Sequence, residues 1–385
     1  MKKLLIALFV MIVVVLLAYK GGKVAHKENI ITISVGKIPT SVEVADLNND
    51  HIPDLVIANG GDSSVTILLG KGKGLFAEVA GSPFYAGCTP NDVAIADFNK
   101  DGEPDLAFAN HTKKYLTILA GDGTGRFKPM RGSPFPADVF PHTHGVATGD
   151  FNKDGNLDLV TDSWGNDQIE ILFGNSTHGF NKPGTFIHVG KHPYQRIRTA
   201  DLNKDGNIDI VTTNLDGNNT TVLLGNGKGG FYQPPGSPFA CGDSPFGVAI
   251  GDVNNDGNPD LAIVNSPTIT SSNTGRDGLT ILTGNGKGRF ITMPGSPFTT
   301  GKSPSRVATG DINGDGIKDI AVTNYNSNSI TIFLMNRKAV ASSYTIAVGK
   351  NPGGIVIADV NGDGKNEVLV TNSLDNTLSI IKTGE

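Results

Sequence analysis

The sequence is poor in the features that mark many classes of domain. Only two cysteines, Cys88 and Cys241, occur in 385 residues, so no disulfide framework holds the chain. Charged residues make up only 18%, and acidic side chains outnumber basic ones by 37 to 32. A net charge of −5 offers no basic surface for nucleic acid. After residue 30 no stretch carries the 3.6-residue apolar period of an amphipathic helix. Tryptophan occurs once, at Trp164.

Long apolar runs are also missing, with one exception. Residues 4–19 are unbroken apolar sequence, preceded by Lys2 and Lys3 and followed by Lys20, Gly21, Gly22 and Lys23. Charge, apolar run and polar exit in that order describe a secretory signal or a membrane anchor. The run is short for a spanning helix of about 20 residues, but flanking lysines can extend it by snorkelling. Ala18-Tyr19-Lys20 lacks the small residues of a cleavage site and no cysteine follows for lipidation. The expectation is an anchor or signal peptide with a short linker over residues 1–28. The remainder would then be membrane-anchored and extracytoplasmic, or secreted if the segment is cleaved.

What is abundant is glycine, 50 of 385 residues, about twice the usual share of about 7%. Glycine-rich sequence without helical period suits many short strands joined by tight turns. The glycines are not scattered; they belong to a repeat. Its core is an acidic loop with acids at positions 1, 5 and 9 and asparagine at position 3. The first copy has Asp46, Asn48, Asp50 and Asp54, and the second Asp97, Asn99, Asp101 and Asp105. The third has Asp150, Asn152, Asp154 and Asp158, and the fourth Asp201, Asn203, Asp205 and Asp209. The fifth has Asp252, Asn254, Asp256 and Asp260, and the sixth Asp311, Asn313, Asp315 and Asp319. The seventh has Asp359, Asn361, Asp363 and Glu367. Successive first aspartates lie 51, 53, 51, 51, 59 and 48 residues apart, the length of one four-stranded propeller blade.

Strands can be read inside each unit. A short alternating strand such as residues 42–45 precedes the loop, and an apolar run such as residues 55–58 or 261–264 follows it. Runs without alternation suit strands buried on both faces. A third strand, residues 65–69 in the first unit, ends in a Gly-x-Gly-x-Gly turn. A phenylalanine (Phe76, Phe127, Phe231, Phe290) then opens a fourth strand that carries Gly-Ser-Pro-Phe. Proline there marks an outer edge. The seventh unit stops after its third strand, whereas residues 29–36 precede the first unit with no blade of their own and resemble residues 344–349. The fold expected is therefore all-β, a seven-bladed β-propeller of four-stranded blades over residues 29–385, closed by strand 29–36 completing blade seven. Cys88 and Cys241 would lie three blades apart, too far to bond.

Seven loops that each gather three carboxylates and an amide around one point predict calcium, because all-oxygen donors on a flexible loop favour it over magnesium. Glycine at position 6 permits the left-handed turn such a loop requires. His51 replaces that glycine in the first loop, and Glu367 replaces the last aspartate in the seventh, so these two are the least regular of up to seven sites. The loops absorb 21 of the 37 acidic residues, and loops of this type bind at about 10⁻⁴–10⁻³ M calcium in exported modules.

Taken together, the seven Asp-x-Asn-x-Asp-Gly-x-x-Asp loops and the Phe…Gly-Ser-Pro-Phe segments resemble the FG-GAP/VCBS repeat family, best known from the integrin α-subunit propeller. The resemblance covers residues 29–385. It implies a calcium-binding propeller that carries ligands on the face opposite the loops. On that face the sequence places Trp164, Tyr194, Arg196, His142 and Tyr325, together with the insertion 266–278. An aromatic beside arginine and amides suits a sugar or an acidic peptide side chain. His142 and His144, two apart on a strand, could bind a transition metal, but no third ligand is apparent and they are read as surface histidines. No nucleophile–base–orienter set can be assembled. The function expected is non-catalytic adhesion or recognition of a protein or glycan, with no nucleic-acid partner. The alternatives are an extracytoplasmic enzyme such as a polysaccharide lyase, using His142, His144, Lys191 or Arg196, and a structural spacer of a cell-surface assembly.

Overall fold

The computed structural model describes residues 29–175, 179–269 and 275–383. The N-terminal segment 1–28, read above as an anchor or signal, lies outside these described residues. Among them no helix is long and apolar enough to cross a membrane.

The described chain forms seven antiparallel sheets of four main strands each, in sequential order in six of them. Blade one contains Pro39–Ala45, Asp54–Asn59, Ser64–Gly70 and Phe76–Glu78. Each acidic loop joins the first and second strands of its blade. The second strand is buried at every residue in all seven blades, which explains why it does not alternate in hydrophobicity. It alternates in partner instead. Leu55 and Ile57 pack towards blade seven with Val42, Leu369 and Leu378. Val56 and Ala58 pack towards blade two with Leu106 and Phe108. Seven apolar clusters arise in this way, one between each pair of neighbouring blades. The core is thus a ring of interfaces, and every blade depends on two others.

The outer strand is interrupted. In blade one Phe76–Glu78 and Phe84–Tyr85 both pair with the third strand, and Gly-Ser-Pro stands between them. Proline cannot donate to a ladder. Within the break the serine hydroxyl supplies an acceptor for the third-strand N–H: Ile67 to Ser82 at 3.0 Å, Ile118 to Ser133 at 2.8 Å, Val222 to Ser237 at 3.0 Å and Ile281 to Ser296 at 3.1 Å. The recurring Gly-Ser-Pro-Phe is therefore a hydrogen-bonded kink in the outer strand.

Ring closure follows the sequence expectation. Asn29–Ser34 pairs antiparallel with Thr377–Lys382 along its full length and forms the outer strand of blade seven. Ile31 and Ile33 pack on the cluster between blades seven and one, and Ile30 on that between six and seven. The two cysteines are unpaired. Replacing both Ile31 and Ile33 by alanine is expected to lower stability by about 1–3 kcal/mol, because both side chains are half-buried. A lower urea midpoint, with a shift toward oligomers in size-exclusion chromatography as the seam loosens, would register it.

Candidate functional site

The acidic loops share one geometry. In the second loop the Asp97 carboxylate accepts the N–H groups of Asp101 (3.2 Å) and Gly102 (2.9 Å), Asn99 Oδ1 accepts that of Asp101 (2.8 Å), and Asp101 accepts that of Glu103 (2.9 Å). The sequence folds this way because short carboxylates capture N–H groups two to five residues ahead, and the sixth residue takes a left-handed conformation. Gly102 has φ +91° there; His51 adopts φ +62° in the first loop and keeps the same bond, its N–H donating to Asp46 at 2.8 Å. The substitution of His51 thus leaves the loop's backbone intact. Position 2, apolar in every copy, is buried beneath the loop (Leu47, Phe98, Phe151, Leu202, Val253, Ile312, Val360).

The ninth position is buried as well. Asp105 accepts the N–H of Phe98 at 2.9 Å and that of Gly121, at the end of the third strand, at 3.0 Å. The same pair of bonds recurs at Asp54, Asp158, Asp209, Asp260 and Asp319. Glu367 differs. It accepts the N–H of Val360 at 3.1 Å and takes a short bond from the Asn361 amide, which in the other loops points to the carboxylate at position 5. Burial, reinforced by the carboxylates at positions 5 and 1, pushes Asp105, Asp209, Asp260 and Asp319 up to about 6 and Asp158 up to about 7, against the opposing pull of their N–H partners. Two N–H bonds leave other lone pairs on each carboxylate free for a cation. The donor set, oxygens only with three carboxylates per loop, fits calcium. Positions 1, 3, 5 and 9 would hold it.

The opposite face carries two neighbouring features, a hollow and an aromatic cluster. A central hollow of about 310 Å³ is lined by Ile38, Phe246, Ile269, Tyr325, Asn91 and Arg306, among others. Arg306 is buried, and its Nη1 has no hydrogen-bond partner. Burial drives its pKa down, and Arg196 adds to that repulsion. A second cavity of about 810 Å³ opens toward the loops and is lined by Glu43, Arg198, Asp201 and Asp252. Arg196 does not reach the exposed face. It is buried at the level between the two cavities, where its guanidinium pairs with Asp92.

Beside the hollow lies an aromatic and imidazole cluster. Trp164 sits on a single turn, Trp164–Asn166, and stacks on His192 at 4.6 Å. It also meets His142 and Tyr194 edge-on at 5.8 and 6.0 Å. Tyr194 contacts Phe246 of the hollow at 5.6 Å. Of the residues proposed from sequence, Trp164, Tyr194 and His142 therefore come together. Tyr325 lines the hollow, and Arg196 lies beneath. His144 is not a surface residue: it is buried, and its Nδ1 faces Asp162 Oδ2 at 3.0 Å. Burial, with His144 and His142 beside it, pushes His111 down to about 4. Sequence reasoning missed Arg306 and His111. Arg306 stands three residues before Thr309 on an inner strand, at the register of Ser41, Asp92 and Gly354, where no other blade but that of Arg196 carries a cation. That irregularity was the available signal.

Comparison with known proteins agrees with the fold. The FG-GAP-like repeat matches residues 46–108, 97–161, 201–263, 269–322 and 311–370. The chain belongs to the FG-GAP-like repeat family. Cartilage acidic protein 1 is 27% identical over 127 residues in Xenopus tropicalis and 29% over 143 residues in Homo sapiens, matches that cover 32% and 36% of this chain. The chain spans only about a fifth of the length of these relatives (19% and 21%). Among solved structures, BBS1N in complex with ARL6DN superposes with a TM-score of 0.61 at 15% identity, covering 91% of this chain and 94% of that one. Virginiamycin B lyase from Staphylococcus aureus gives 0.54 at 14% (92% and 99%). An Agrocybe aegerita lectin specific for non-reducing terminal N-acetylglucosamine gives 0.52 at 16% (92% and 94%). At these identities the likeness is one of fold.

Two predictions follow from the loops. Asp105→Ala strips three N–H groups, those of Phe98, Asn99 and Gly121, of their acceptor and is expected to cost about 2–4 kcal/mol, read from the urea midpoint, with or without calcium. The pH dependence of the metal-free chain has a definite sign. Values of about 6–7 at the ninth positions mean that the folded chain holds more protons than the unfolded one between about pH 4 and pH 7. Stability therefore falls as pH rises through that window. In EDTA the melting temperature should be lower at pH 8 than at pH 5.5, and calcium should remove most of the difference.

Proposed function

We propose that this FG-GAP propeller is an extracytoplasmic, calcium-stabilised recognition module without catalytic activity of its own. Its calcium loops serve the scaffold, and its ligand, a protein or glycan, docks on the opposite face. The observation that carries this reading is the unpartnered Nη1 of Arg306, buried at the wall of the central hollow. A buried donor on a charged group left without an acceptor is costly. Here three arginines (196, 198 and 306) face two carboxylates, those of Asp92 and Glu43. The surplus cation favours an acidic side chain or another oxygen-rich group entering the hollow. Tyr325, Phe246 and Ile38 supply the apolar walls that such a ligand would lie against. FG-GAP repeats commonly occur in extracellular proteins. An outside location would also supply calcium in the range these loops require.

The full chain, calcium-loaded, would be screened on matrix-protein and glycan arrays. A calcium-dependent binder is expected. Arg306→Met should abolish that binding while leaving the melting temperature unchanged or raised, since it removes an uncompensated buried charge. Trp164→Ala should weaken binding if the ligand extends from the hollow onto the neighbouring cluster. The reading fails if no binder is found, or if Arg306→Met binds as the parent does.

A further inference from the structure

Blade three breaks the repeat at one place. Five residues after the last loop acid, six blades carry asparagine (Asn59, Asn110, Asn214, Asn265, Asn324, Asn372), whose amides hold the hairpin between strands two and three or the preceding crossing. Blade three has Ser163 there. The residue before it is Ala, Thr or Val in those six blades and Asp162 in blade three. The crossing into each other blade reads Gly-x-x-Pro, with the inner strand starting at the proline, as at Pro39 and Pro245. The crossing into blade three lacks that pattern; its inner strand, Val146–Gly149, starts late and is preceded by His142, Thr143 and His144. No scaffold requirement met in the other six blades calls for a buried histidine–carboxylate pair at this point.

The departures converge. The Nε2 atoms of His142 and His144 lie 3.2 Å apart, and the ligating nitrogens of His111, His142 and His144 lie within 4.8 Å of one another. Two nitrogens on one tetrahedral zinc, at about 2.0–2.1 Å each, are about 3.3 Å apart. His144 is oriented for such a role. Asp162 Oδ1 accepts the N–H groups of His144 (2.8 Å) and Gly145 (2.7 Å), and Oδ2 faces His144 Nδ1 at 3.0 Å. With the Nδ1 proton held by that carboxylate, Nε2 carries the bare lone pair, in the carboxylate–histidine arrangement that supports metal ligands. His142 and His111 are half-buried, so an ion has a path in.

We propose that His111, His142 and His144 form a binding site for one divalent transition metal, zinc by ligand type, separate from the acidic loops. Imidazole nitrogens select zinc, cobalt, nickel or copper over calcium, whereas the carboxylate loops select the reverse. Three protein ligands leave a fourth position for water or a donor from a partner.

The test uses the full chain with calcium saturating, so that the loops are filled, and titrates Co²⁺ while reading visible absorption. One equivalent giving the intense bands of tetrahedral nitrogen ligation, displaced by one equivalent of Zn²⁺, is expected. His142→Gln, at a half-exposed position, should abolish the bands, with an unchanged calcium-loaded melting temperature certifying its fold; His111→Gln provides a second variant. Asp162→Asn should weaken Co²⁺ binding about 10–100-fold, and His188→Gln, on the exposed outer strand, should leave it as it was. Absence of a stoichiometric band, or a band that survives both His142→Gln and His111→Gln, overturns the proposal. Binding no weaker in a folded Asp162→Asn overturns the role given to that carboxylate.

Discussion

Everything in this propeller hangs on a buried carboxylate that accepts two backbone N–H groups. At the ninth loop position, aspartates such as Asp105 join the start of the acidic loop to the end of the third strand, and so lock three strands of a blade at one end. The bond is made in the interior, over the apolar residue at position 2, where an unpaired N–H would be costly. Burial raises the proton affinity of the group, and the nearby carboxylate of Asp101 adds to it. Scaffold and cation chemistry are therefore joined in one side chain. An ion in the loop would offset the repulsion that folding creates, and folding gathers the oxygens that an ion needs.

The blade count, the strand order and the closing strand could all be read from the sequence, because each rests on local and repeated information. Loop spacing fixes the blade, the unalternating second strand reports burial on both faces, and residues 29–36 repeat the pattern of an outer strand that the seventh unit lacks. The candidate binding face was legible only in part. Trp164, Tyr194 and His142 lie beside one another, but Arg196, placed on the same face in the sequence reading, is buried against Asp92. The reason is register. Side chains at this level of the inner strands point toward the axis, and which charge meets which depends on blades 48 or more residues apart. His111 was missed for the same reason: it belongs to blade two and reaches the blade-three histidines only through ring geometry. Departures from the repeat were the better guide, since a residue that breaks a sevenfold pattern is not explained by the scaffold.

The two faces divide the chemistry between them. Hard oxygen donors ring the loop face, while imidazole, indole and guanidinium groups cluster on the other. The inner strands separate them with a layer in which Asp92 engages Arg196 and leaves Arg306 uncompensated. A propeller can keep such a layer because its stability resides in the seven interfaces between blades, not along the axis.

The closing strand also sets a direction. Asn29 lies opposite Lys382, which in turn pairs with Glu367 at the foot of the seventh acidic loop. The chain thus joins the ring at its outer rim, on the side of the loops. The hollow, with Arg306 and Tyr325 at its wall, opens the other way. Asn29, the first described residue, therefore stands at the back of a dish whose bowl faces the other way.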